Sequence, residues 1–135
     1  MRRLAIDVMP GEYAVARLDA HAEVPTEVFA GAAGSLVSVT RTGEEISVIG
    51  PAGVVAELAG DTGVVERGWR LLSIRGPLEF TLTGIIAAIA SELAAAGVAL
   101  FSLSTFDTDH VLVRQDNLTR ATLALQDAGH EVHGT

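Results

Sequence analysis

Residues 76–113 read G-P-L-E-F-T-L-T-G-I-I-A-A-I-A-S-E-L-A-A-A-G-V-A-L-F-S-L-S-T-F-D-T-D-H-V-L-V, and three successive signals within them decide the fold. Thr83 is suited to cap a helix over residues 84–96, because its side-chain oxygen can accept from first-turn N–H groups. Ile85, Ile86, Ile89 and Leu93 recur at helical spacing and mark one apolar face. Gly97 supplies the stop. Two short apolar strands follow, over residues 99–104 and 109–114, joined by the polar turn 105–108. The stretch holds no reactive constellation. A helix start beside a Thr- and Asp-rich hairpin suits holding a molecule rather than transforming it.

The same reading extends outward. A strand over residues 69–75 precedes the stretch, a helix over 116–128 closed by Gly129 follows it, and 131–133 makes a last strand. That order is β-α-β-β-α-β, the ferredoxin-like scheme, whose right-handed crossovers put both helices on one sheet face. Upstream, residues 4–8 predict an edge strand punctuated by Pro10-Gly11, and 13–18 the next strand. Residues 19–34 read as a loop with at most a helical turn near 26–29. A hairpin joins strands 36–40 and 45–50 around Arg41-Thr42-Gly43-Glu44, and Pro51 opens a short helix to residue 58. Residues 61–68 read as a connection with a short strand at Val64-Val65. The segment S-V-T-R-T-G-E-E-I-S-V-I at 38–49 falls without a gap on S-L-S-T-F-D-T-D-H-V-L-V at 102–113. The expectation is an α+β protein of two ferredoxin-like (βαββαβ) halves with antiparallel sheets: residues 1–68, with a reduced first helix, and 69–135.

Composition narrows the function. The chain has 135 residues, 49% of them hydrophobic, which suffices for a core. A net charge of −8 without a single Lys argues against a nucleic-acid surface, which needs clustered cations. The lack of Cys excludes disulfides, thiolate chemistry and Cys-based zinc sites. The apolar run after Arg2-Arg3 is broken by Asp7 and is too short for a signal-peptide core. The longest apolar stretch, 84–101, is interrupted by Ser91, Glu92 and Gly97, so it reads as helix plus strand and not as a membrane span. A soluble cytoplasmic protein is expected.

The loop-helix G-P-L-E-F-T-L-T-G-I-I, the hairpin S-T-F-D-T-D-H-V-L-V and the ending L-Q-D-A-G-H-E-V resemble the ACT-domain family, closely in the second half and more loosely from Tyr13 through the first. The resemblance reaches small bacterial tandem-ACT proteins and the ACT modules of cytosolic arginine sensors. It implies a regulatory, non-catalytic protein that binds an amino acid or similar small molecule where ACT units meet. The site would lie between the loop 76–84 and a strand hairpin, here contributing Thr105, Phe106 and Asp109. No acid stands immediately before Thr83-Gly84, so the resemblance implies amino-acid-like ligands without selecting arginine. ACT units commonly pair, which implies a homodimer.

The residues give this site its chemistry. The N–H groups of Thr83, Gly84 and Ile85 can receive a carboxylate, helped by the helix dipole. With a turn at 105–108, Ser104 faces Asp109, and Asp109 can accept charge-assisted hydrogen bonds from an ammonium or guanidinium. Alternation puts Ser102, Ser104 and Asp109 on the free sheet face and Phe101, Leu103 and Leu112 toward the helices. The alternative is that Asp107 and Asp109 merely close the turn. Ser104, Asp109 and His110 do not suit a catalytic relay, since neighbouring strand residues point to opposite faces. Asp107-x-Asp109 offers too few ligands for a hard cation. His130 and His133 read as an exposed tail rather than a zinc site. Gly31 to Gly34 lacks the Lys of a phosphate loop, and Trp69 reads as packing. No cofactor and no metal are expected. Three functions stand in order: a ligand-binding regulator, an assembly module with ACT shape and no ligand, and, last, an enzyme using Asp107 and Asp109.

Overall fold

Leu4, just before β1 (Ala5–Val8), and Ile6 and Val8 within it are buried and alternate with less buried residues, and the partners of this strand shape the architecture. A computed structural model describes residues 3–31, 34–76 and 84–134. The chain forms two compact units. An inserted unit takes residues 11–69, and a split unit takes residues 1–10 together with 70–135.

The inserted unit runs β2 (Tyr13–Leu18), α1 (Glu27–Ala30), β3 (Ser38–Arg41), β4 (Ile46–Pro51), α2 (Ala52–Ala59) and the first part of β5 (Val64–Ile74). Its strand order is β3-β4-β2-β5, as a ferredoxin-like unit requires, with the expected reduced first helix present as the four residues of α1. Ala14, Ala16, Ile46, Val48 and Val55 make its core.

The split unit runs from the second part of β5 through α3 (Ile85–Ala95), β6 (Leu100–Ser104), β7 (Asp109–Arg114), α4 (Leu118–Asp127) and β8 (Glu131–His133), with β1 added. Its order is β6-β7-β5-β1-β8. Ile89 and Leu93 of α3 and Ala121 and Leu125 of α4 pack with Leu72, Ile74, Val111 and Val113. These strand residues are two apart in β5 and in β7, so both helices cover one face of the sheet. A single 3-10 turn, Gln115–Asn117, precedes α4.

Three expectations need correction. Residues 1–10 belong with the C-terminal half and not with the first. β1 is no edge strand: it pairs antiparallel with β5, Ile6 opposite Ile74, and parallel with β8, Ile6 opposite Val132. Burial of Leu4, Ile6 and Val8 beside Leu72 and Ile74 draws the strand into the sheet instead of leaving it at the edge. Second, residues 64–74 form one strand. Gly68, which read as a break, holds φ +83 in a bulge where Tyr13 pairs with Trp69 but Val15 pairs with Glu66. The Glu12 carboxylate accepts from the Gly68 N–H at 2.8 Å and from Arg67 at 3.4 Å, satisfying the donor that the bulge frees. Third, α3 begins at Ile85, and the residue before it is Gly84 in the left-handed conformation, φ +76. The expected capping residue Thr83 lies outside the described residues.

Candidate functional site

The β6–β7 hairpin has the expected register. Ser104 faces Asp109 and Ser102 faces Val111. The turn is closed by threonines: the Thr105 N–H donates to the Thr108 carbonyl at 2.8 Å, and the Thr105 hydroxyl donates to the same carbonyl at 3.2 Å. Thr108 in turn donates its hydroxyl to the Ile74 carbonyl at 2.6 Å, which pins the turn to the end of β5. Threonines, and not Asp107, therefore close this turn, and the Ser104–Asp109 pair flanks it.

Asp109 is half-buried, and the Ser104 hydroxyl donates to its Oδ1 at 2.5 Å. The side of the sheet it occupies corrects the sequence reading. Asp109 shares its face with Val111 and Val113, which pack under α3 and α4. It thus lies on the helix-bearing side, while Phe101, Leu103, His110 and Leu112 take the other. β7 is buried on both faces over residues 111–113, so its apolar content did not reveal which side the helices cover. Phe106 stands at the tip, 79% exposed.

Gly84 and Ile85 open α3. Gly84 has no side-chain oxygen to offer the first-turn N–H groups, and its carbonyl accepts from Ala88 at 2.9 Å. Of the residues expected to bind ligand, Ser104, Thr105, Phe106 and Asp109 are thus together on one hairpin. Gly84 and Ile85 begin the helix on the face that Asp109 shares.

His110 sits across from Leu103, half-buried, and its Nδ1 shares a hydrogen bond with Ser73 Oγ at 2.8 Å. Burial holds its imidazole below its ordinary value of 6.5, against the pull of the neighbouring Asp109 carboxylate. Asp109 and His110 point to opposite faces, so they form no Ser104–Asp109–His110 relay. Arg75 clasps Asp7 with two hydrogen bonds, at 2.9 and 2.7 Å, and these hold the Asp7 carboxyl below its ordinary 3.8. Both groups have depressed folded-state pKa values. Each therefore contributes stability that is full above its unfolded value and is lost as pH falls through the folded one. The denaturation midpoint is expected to decline in two stages, from about pH 6.5 downward and again below about 3.8. His110→Asn, which keeps a partner for Ser73, is expected to flatten the first stage in urea titrations between pH 7.5 and 5. An unchanged slope would assign that stage elsewhere.

His130 was missed. It is no exposed tail residue but is buried, 4% accessible. Its Nδ1 accepts from the Leu4 N–H at 3.1 Å, and its Nε2 meets the Glu92 carboxylate at 2.9 Å. The accepting Nδ1 leaves the ring proton on Nε2, facing Glu92. Glu92 lies 38 positions away in sequence, so only folding reveals the pair. His133 remains half exposed beside Glu131.

Comparison with known proteins accords with this fold. A family model described as an ACT domain matches residues 64–127. A second, described as an N-terminal domain, matches residues 11–57. The chain is 31% identical to an Agobacterium tumefaciens protein of solved crystal structure, with a TM-score of 0.83, over 100% of this chain and 99% of that one. The chain belongs to the ACT-domain family.

This ACT-family chain is also 44% identical over 59 residues to the human cytosolic arginine sensor for mTORC1 subunit 1. That match takes in 43% of this chain and 18% of the sensor, so the chain covers under a fifth of that relative. The regulatory subunit of aspartate kinase from Thermus thermophilus shares the fold, with a TM-score of 0.60 at 14% identity over 92% of this chain and 96% of that one. No helix among the described residues is long and apolar enough to cross a membrane.

Proposed function

We propose that this ACT-family chain is a non-catalytic, cytoplasmic regulatory module that binds a small amino-acid-like ligand on the split unit. The observation that carries the reading is Asp109. Ser104 orients its carboxylate on the helix-bearing side of the sheet, at the end where the Thr108–Ile74 hydrogen bond marks the departure of the chain from β5 toward α3. A cationic group on Asp109 and a carboxylate on the N–H groups of Thr83, Gly84 and Ile85 would satisfy the two ends of a zwitterion. Ser104 and Thr105 add hydroxyls, and the exposed Phe106 ring adds apolar surface. The regulatory character of the ACT family and the likeness to an arginine sensor support the ligand class.

A thermal-shift panel of free amino acids on the whole chain tests this. Ligand at about a hundredfold over its dissociation constant adds roughly 2.7 kcal/mol of stability. A flat panel at millimolar concentration would favour the second reading, an assembly module without ligand. Phe106 at 79% and Phe101 at 40% exposure supply that reading's observation, since exposed aromatics suit interfaces. Pairing into a homodimer at micromolar concentration belongs to both readings, and sedimentation velocity reads it alongside the panel.

A further inference from the structure

We propose that the cleft between α1 and α2 of the inserted unit binds a small aliphatic amine that carries no carboxylate. The cleft has a volume of about 360 Å³, within the range of small-molecule pockets. Val28, Val54 and Leu58 give it an apolar, non-aromatic floor, and the exposed Glu23 and Glu27, from the stretch that leads into and begins α1, and Glu57 of α2 also line it. None of these three carboxylates has a hydrogen-bond donor or cation as side-chain partner among the described residues.

The charges face unfavourable surroundings. Residues 11–69 hold nine acids against three arginines, a net −6 of the chain's −8. Arg67 is engaged by Glu12. Glu57 lies in the last turn of α2, where the helix dipole is itself negative. A cation in the cleft relieves all three carboxylates, and an alkyl chain behind it covers the valine and leucine floor. No basic residue lines the cleft, so a ligand carboxylate finds only repulsion there. That excludes a zwitterionic amino acid and separates this site from the one on the split unit. The two stand or fall independently.

Calorimetry on the whole chain with hexylamine, 1,6-diaminohexane, hexanoate and lysine, at matched ionic strength, tests the assignment. The two amines are expected to bind, the diamine more tightly, while hexanoate of the same chain length does not and lysine binds more weakly than either amine. Exposed charge contacts contribute modestly, so Glu57→Gln and Glu27→Gln are each expected to weaken hexylamine about two- to fivefold. The triple variant with Glu23→Gln is expected to lose about tenfold or more. Removing like charges leaves folding intact, which a thermal melt of each variant checks. Glu44→Gln with Glu45→Gln, at the β3–β4 turn, makes the same kind of charge change away from the cleft and is expected to leave affinity unaltered. Methyl chemical-shift changes on amine addition are expected at Val28, Val54 and Leu58. The proposal is overturned by silent amines at millimolar concentration, by equal binding of hexanoate, or by a triple variant no weaker than the control.

Discussion

Replacing His130 with alanine is expected to lower the unfolding free energy by about 3 kcal/mol. The imidazole is buried and joins three elements: the start of β1 through Leu4, the interior of α3 through Glu92, and the α4–β8 junction that carries it. Alanine leaves the Leu4 N–H without its acceptor, and a buried unpaired donor costs roughly 1–3 kcal/mol. The cavity left by the ring adds to that loss. Glu92→Gln keeps an acceptor for Nε2 and removes only the charge, so it is expected to cost about 1 kcal/mol. Urea titration at pH 7.5 reads both. A His130→Ala chain within 0.5 kcal/mol of the parent would show that β1 is held by its ladder and apolar contacts alone.

Asp109→Asn is expected to weaken amino-acid binding by about 1.5–3 kcal/mol, roughly ten- to a hundredfold. The amide keeps the shape of the carboxylate and an acceptor for the Ser104 hydroxyl, so the hairpin is retained while the charge offered to the ligand's cation is lost. Asp107→Asn, one position past the exposed Phe106, is expected to change affinity much less, because threonines close the turn. Titration of both variants at matched salt, with a ligand found in the thermal-shift panel, decides it. Equal affinity for Asp109→Asn and the parent chain would remove Asp109 from the site.

Much of the fold was legible because it rests on short-range chemistry. β7 starts and ends as read, at Asp109 and Arg114, since a polar turn bounds a run of β-branched and apolar residues. The pairing of Ser104 with Asp109 follows from turn length, and Gly97, at φ +77, ends α3 as expected. β5 was less legible because Gly68 has two uses. In isolation it reads as a break. In the sheet, with Glu12 accepting from its N–H, it makes a bulge that lets one strand continue.

What the sequence determined by itself was the succession of most elements, the turns between them and the balance of charge. Backbone preference, side-chain period and turn chemistry act over a few residues and need no partner to be read. Only the tertiary structure decided where β1 goes, which face carries Asp109, that His130 is buried against Glu92, and that three glutamates converge on one cleft. Each depends on which distant surfaces are buried together. β1 could pair beside β2 or between β5 and β8, and the burial of Leu4, Ile6 and Val8 in the core of the split unit selects the latter. Asp109 takes the helix-bearing side because Val111 and Val113 fill the space beneath α3 and α4, and a strand with period two carries every second residue with it.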